Sequence, residues 1–117
     1  MQLQAKRARN LVVVKLLHTL VWAVVAASIL AIPLAGLQRQ FQRAAVFTGI
    51  VLVECLILAA NWGRCPLTDL AGRFTDDRVE NFDIYLPLWV ARHNKLIFGI
   101  LFMAGEIVVL QRWFSLR

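Results

Sequence analysis

Cysteine is scarce in this sequence: two residues, at positions 55 and 65. There is no Cys-x-x-Cys and no close His/Cys pair, so a zinc ribbon or finger is excluded. If Cys55 lies in a helix, axial rise alone puts it roughly 15 Å from Cys65. A disulfide needs Cα atoms within about 7 Å, so no internal bridge is expected. No Asn-x-Ser/Thr acceptor is present, and cysteine use leaves the redox compartment open. Acidic residues are also few, seven against thirteen Lys and Arg, for a net charge of +6. In a soluble chain that excess would point to nucleic acid. Here the basic residues flank apolar runs, so headgroup contact and topology account for them, and no nucleic-acid partner is expected. Repeats and low-complexity tracts are missing.

Long apolar runs are what the chain does have. Of 117 residues, 60% are hydrophobic, and the mean hydropathy is +0.66. A soluble domain would be nearer half apolar, with its apolar residues in stripes. The expectation is one membrane domain over residues 1–117 and an all-α fold: a polytopic helical bundle with three transmembrane helices plus a short interfacial or re-entrant segment. The spans fall at about 11–37, 44–62 and 95–113. The first follows a basic start (Lys6, Arg7, Arg9) and is too long for a signal-peptide core of about 7–15 residues, so an uncleaved span is expected, frayed at Pro33 and Gly36. The second ends at Gly63 and Pro66.

Between the second and third spans lies a polar stretch over 64–94. There Thr68 is a candidate cap for a short helix carrying Leu70 and Phe74, and Asp76 to Glu80 read as a solvated turn. Phe82, Tyr85, Leu86 and Trp89 recur at i, i+3, i+4 and i+7, which predicts an amphipathic segment in the interface, kinked at Pro87. With three spans, Lys6, Arg7, Arg9, Arg64, Arg73, Arg78, Arg92 and Lys95 lie on one side, and Arg39, Arg43, Arg112 and Arg117 on the other. The Lys/Arg bias places the N-terminus and the loop in the cytoplasm.

Each span carries an ionisable group. Measured from the loop side by helix rise, His18 is about 10 Å deep, Glu54 about 13 Å and Glu106 about 16 Å. Lys15 is shallower and Asn61 is near the surface. Helical phase puts Lys15, His18 and Trp22 on one face, Glu54 and Asn61 on a second, and Lys95, Gly99, Phe102, Glu106 and Trp113 on a third. These faces should turn inward, because charge facing lipid is costly. Gly99 and Gly105 would permit close helix approach.

Structural readings stand beside the functional ones. Glu54 and Glu106 can be neutral carboxyls bonded between helices, and His18 a satisfied polar residue. Lys15 can snorkel, His93 can be solvated at a loop end, and the tryptophans can be belt anchors. Cys55 can be a small hydrophobe, and Cys65 before Pro66 simply a tight turn.

The element Cys65-Pro66-Leu67-Thr68, after a Glu54-bearing helix, resembles a family of small bacterial membrane proteins known only as a domain of unknown function. Matching features are His18, Trp62 and the Tyr85-Leu86-Pro87-Leu88-Trp89 segment, and the likeness runs from about residue 11 to 114. The chain departs from it at Asp69-Leu70-Ala71. The resemblance implies a three- or four-helix membrane fold and no established activity.

Three functional classes follow. The first is a binding or accessory subunit that holds a small ligand, lipid headgroup or proton among His18, Glu54 and Glu106. It would associate in the bilayer with other membrane chains or with copies of itself. The second is a redox protein with haem on His18, with or without His93. The third is a membrane enzyme with Cys65 as nucleophile and His93 or an acid as base. The cofactor is otherwise unknown.

Overall fold

The computed structural model describes residues 2–115. Arg117, counted above among the charges of one side, lies outside the described residues. Among the described residues the chain is all-α, with α1 at Gln2–Leu37, α2 at Phe41–Ala60, α3 at Pro66–Ala71 and α4 at Leu88–Phe114. Three of these helices, α1, α2 and α4, are long and apolar enough to cross a membrane. Their 36, 20 and 27 residues correspond to roughly 54, 30 and 40 Å, against about 30 Å of hydrocarbon.

The helices overrun their apolar stretches. Residues 2–10 are rich in Gln, Ala, Lys and Arg, all good helix formers, so α1 begins well before Leu11. At its other end α1 runs on through Pro33 to Leu37 and closes in an ordered cap rather than fraying. Gln40 N–H donates to the Ala35 carbonyl (2.9 Å) and Arg39 N–H to Gly36 (3.0 Å), with Arg39 at φ 57°. This is a Schellman cap with arginine in the left-handed position that glycine usually takes. α2 ends similarly: Gly63 N–H donates to the Leu58 carbonyl at 2.7 Å, and Trp62 has φ 60°.

The expected amphipathic segment from Phe82 to Trp89 does not form one helix: residues 79–86 are turns and bends, and Leu88 and Trp89 already belong to α4. Two local effects decide this. The Asn81 side-chain amide donates to the Leu86 carbonyl at 2.9 Å, an alternative to helical pairing. Pro87 disfavours helical backbone at the residue before it. Pro87 instead precedes α4, where its missing N–H costs nothing, and its carbonyl accepts from Ala91 N–H at 2.9 Å.

The chain divides into two compact units. In the unit of Ala23–Leu56 with the chain from Asn94, Ile29 and Ile32 of α1 and Val51 of α2 form the core, with Val25, Phe47, Phe98, Phe102 and Val109 packed on it. Glycine sets the helix approach here. A Cβ on Gly105 would meet Pro33 Cδ at 3.0 Å and Ile32 Cγ2 at 3.3 Å, and one on Gly36 would meet Val109 Cγ2 at 3.0 Å. Gly99, expected to serve as Gly105 does, has open space around it instead. Trp113 stacks edge-on against Phe41, with ring centroids 5.2 Å apart. In the other unit, the chain up to Trp22 with Ile57–His93, the buried residues are Val14, Cys65, Ala71, Ile84 and one carboxylate, Asp83.

Candidate functional site

Asp83 is the centre of that unit's polar contacts. Its side chain is only 8% exposed, so the carboxylate must find its partners within the protein. The Thr68 hydroxyl, on α3, donates to Asp83 Oδ2. His18 Nδ1, on α1, lies 3.4 Å from the same oxygen and donates to the Asp83 backbone carbonyl at 3.0 Å. A carbonyl only accepts, so Nδ1 carries a proton, and the other ring nitrogen, Nε2, is the one not engaged by Asp83.

The next residues of the loop dock on the same face of α1. Tyr85 N–H donates to Thr19 Oγ1 at 3.0 Å, while the Thr19 hydroxyl donates to the Lys15 carbonyl at 2.7 Å. The Lys15 ammonium sits 4.3 Å above the Tyr85 ring, a cation–π contact. Lys15, His18 and Thr19 thus form a short polar strip within the apolar run of α1 that begins at Leu11. It receives Asp83 and Tyr85 together.

Other sequence candidates in this unit have structural partners. Cys65 is buried and is the N-cap residue of α3, with no side-chain cap bond, and Pro66 follows within the first turn. Thr68 was expected to cap this helix; it lies inside it, and its hydroxyl is committed to Asp83. The Asn61 amide donates to the Arg64 carbonyl (2.7 Å) and to Asp69 Oδ2 (2.9 Å), and Arg64 pairs with Asp69 at 3.3 Å. His93 Nδ1 donates to the Trp89 carbonyl at 3.0 Å, with the ring 5.0 Å from the Trp89 ring.

The two span carboxylates belong to the second unit. Thr48 Oγ1 donates to Glu106 Oε1 at 2.6 Å, which joins α2 to α4. Glu54 is half-buried, and no hydrogen bond or ion pair reaches it from the described residues. Within this unit, then, Glu106 and Glu54 are not bonded to each other. His18 falls in the first unit, with Asp83 as its partner.

Sequence reasoning missed Asp83, Thr19 and Thr48. Asp83 looks like one more acid in a polar loop; its signal is the apolar pair that flanks it, Phe82 and Ile84. Thr19 and Thr48 are ordinary helix interruptions until a partner is known. Among the described residues no three of His, Cys, Asp and Glu are grouped as metal ligands would be. No family model, no curated protein and no solved structure matches this chain.

Proposed function

We propose that this is a multi-pass protein of the bacterial inner membrane that works as a binding or accessory subunit, with its working site around His18, Asp83 and Thr68. The observation that carries this reading is the buried Asp83, whose carboxylate accepts from Thr68 on α3 and whose backbone carbonyl accepts from His18 on α1. A loop serving only as a linker has no need to bury a charge and pin it to a helix long enough to span the bilayer. The Lys/Arg distribution puts this loop and the N-terminus in the cytoplasm, so the site lies where that side of the bilayer meets water. Lys15, Tyr85 and the His18 Nε2 atom are the groups at hand for a polar ligand or a neighbouring chain. Cys65 is poorly suited to be a nucleophile, because it is buried.

Native mass spectrometry of the protein released from its own lipid tests this reading. Wild type is expected to retain a lipid, small molecule or chain that His18→Gln and Asp83→Asn hold at least fivefold less, with both variants melting close to wild type. A wild-type protein that emerges bare, or variants that bind as well as it does, would end this reading.

One observation favours a second reading, haem on His18. A histidine ligand commonly donates its other ring N–H to a carbonyl or carboxylate, which fixes the ring and presents the free nitrogen, and His18 is held in this way. A Soret band in the purified protein, lost in His18→Ala, is the expected sign. Haem-supplemented protein that stays colourless would remove it.

A further inference from the structure

We propose that the second turn of α1, through Lys6, Arg7 and Arg9, is a docking surface for the headgroups of anionic phospholipids. This rests on α1 being a membrane span and is independent of the site at Asp83. The apolar run of α1 opens at Leu11, and the helix continues outward from it to Gln2 without a break. By helix rise, Arg9, Arg7 and Lys6 stand about 3, 6 and 7.5 Å beyond Leu11. The headgroup layer is roughly 5–8 Å deep on each side of the hydrocarbon, so all three side chains leave the helix within it. Lys6 and Arg9 are three apart and share a face, with Arg7 beside them.

The protein itself leaves these cations uncommitted. All three are exposed, and among the described residues no side-chain hydrogen bond, ion pair or ring contact reaches them. Other basic residues of the same unit are engaged. Arg64 pairs with Asp69 at 3.3 Å and Arg92 with Glu80 at 3.2 Å. Arg78 donates to the Thr75, Asp77 and Gly72 carbonyls, and Lys15 lies over the Tyr85 ring. α1 supplies no counter-charge of its own, because no acid occurs before Glu54. Three cations within four positions repel one another, and the first turn brings no acid to offset them. A lipid phosphate relieves that repulsion, and the arginine fork fits two of its oxygens. A zwitterionic lipid offers the same phosphate with a competing cation beside it, so the patch selects the anionic kind.

The test is native mass spectrometry of the full chain in detergent, stripped of lipid and titrated with phosphatidylglycerol or with phosphatidylcholine. Wild type is expected to bind phosphatidylglycerol about tenfold more tightly than phosphatidylcholine at low salt, a preference that shrinks as salt rises. Lys6→Gln with Arg9→Gln is expected to lose most of that preference; glutamine is a good helix former, so α1 persists. Lys6→Arg with Arg9→Lys keeps the charges and is expected to bind as wild type does. Arg64→Gln with Arg92→Gln removes two charges from engaged positions and is expected to keep most of the preference. All these variants retain His18, Thr68 and Asp83, so lipid held at that site cancels from the comparison. Equal affinity of wild type for the two lipids would overturn the proposal. So would a preference that survives Lys6→Gln with Arg9→Gln, or one that falls equally in the two charge-removing variants.

Discussion

His18 and Asp83 are sixty-five positions apart, and they meet twice: Nδ1 donates to the Asp83 carbonyl at 3.0 Å and lies 3.4 Å from its carboxylate. The backbone bond survives any change of the Asp83 side chain, whereas the carboxylate contacts do not. Asp83→Ala therefore leaves His18 partly held but removes the acceptor of the half-buried Thr68 hydroxyl, a loss of about 1 kcal/mol, at the low end of the cost of an unsatisfied donor. Asp83→Asn keeps an acceptor for Thr68 and is expected to cost less, about 0.5 kcal/mol. Unfolding in lipid-like detergent gives the energies. Limited proteolysis within residues 72–87 shows whether the loop has come off α1. A loop in Asp83→Ala as resistant to protease as the wild-type loop would contradict the assignment.

Glu80 and Arg92 make an exposed pair at 3.2 Å. Hydrogen bonding by its own backbone, and then the Arg92 guanidinium, hold the Glu80 carboxyl below its ordinary value of 4.5. A depressed carboxyl favours the folded loop at pH above the ordinary carboxyl range. That contribution fades as pH falls towards and through the folded value. Both side chains are open to solvent, so the effect is small and weakens with salt. In Arg92→Gln the Glu80 midpoint, followed by NMR, is expected to rise only part of the way back, because the backbone contribution remains. A midpoint that does not move would show that Arg92 has no part in it.

How much of this was legible follows from which signals are local. Three helices long enough to span can be read from apolar run length alone. Their ends cannot, because an apolar run marks where a membrane would begin and helix propensity marks where the helix does. Hence Gln2 rather than Leu11 opens α1, and Leu88 rather than Lys95 opens α4. The spacing of Phe82, Tyr85, Leu86 and Trp89 imitated a helix, but Asn81 and Pro87 overrule it. Asp83 was out of reach for a different reason. Its role depends on His18, at a separation that no periodicity reports, so nothing local singles it out. Depth and phase did identify His18, Glu54 and Glu106 as polar groups on span faces. They could not say that Thr48 would take Glu106, or that Glu54 would be left without a donor.

Gly105 and Gly99 lie on one helix and are expected to respond oppositely to the same change. Gly105→Leu must displace Pro33 and Ile32, which a first added carbon would already meet at 3.0 and 3.3 Å. Overpacking of this kind typically costs about 1–3 kcal/mol. Gly99→Leu adds a side chain into open space and is expected to be tolerated in the isolated chain. Thermal unfolding of the two variants in the same detergent decides it; equal losses would mean that Gly105 is not a contact point. A Gly99→Leu variant that melts normally but fails to assemble in membranes would instead place a neighbouring chain on that face.

The Thr48–Glu106 bond is a polar link between α2 and α4, and it can be weighed directly. At 2.6 Å it is a short hydrogen bond. Hydrogen bonds between membrane helices nevertheless average only about 0.6 kcal/mol in double-mutant cycles, because the unfolded helices find other partners in the bilayer. A cycle of Thr48→Val with Glu106→Gln is expected to give a coupling of about 0.5–1.5 kcal/mol. Thr48→Ser is expected to lose little, since it keeps the hydroxyl. The same cycle run with Glu54→Gln in place of Glu106→Gln is expected to give no coupling, because Glu54 makes no bond to Thr48. Coupling in the second cycle and none in the first would mean that Thr48 serves Glu54, and the contrast between the two span carboxyls would have to be reversed.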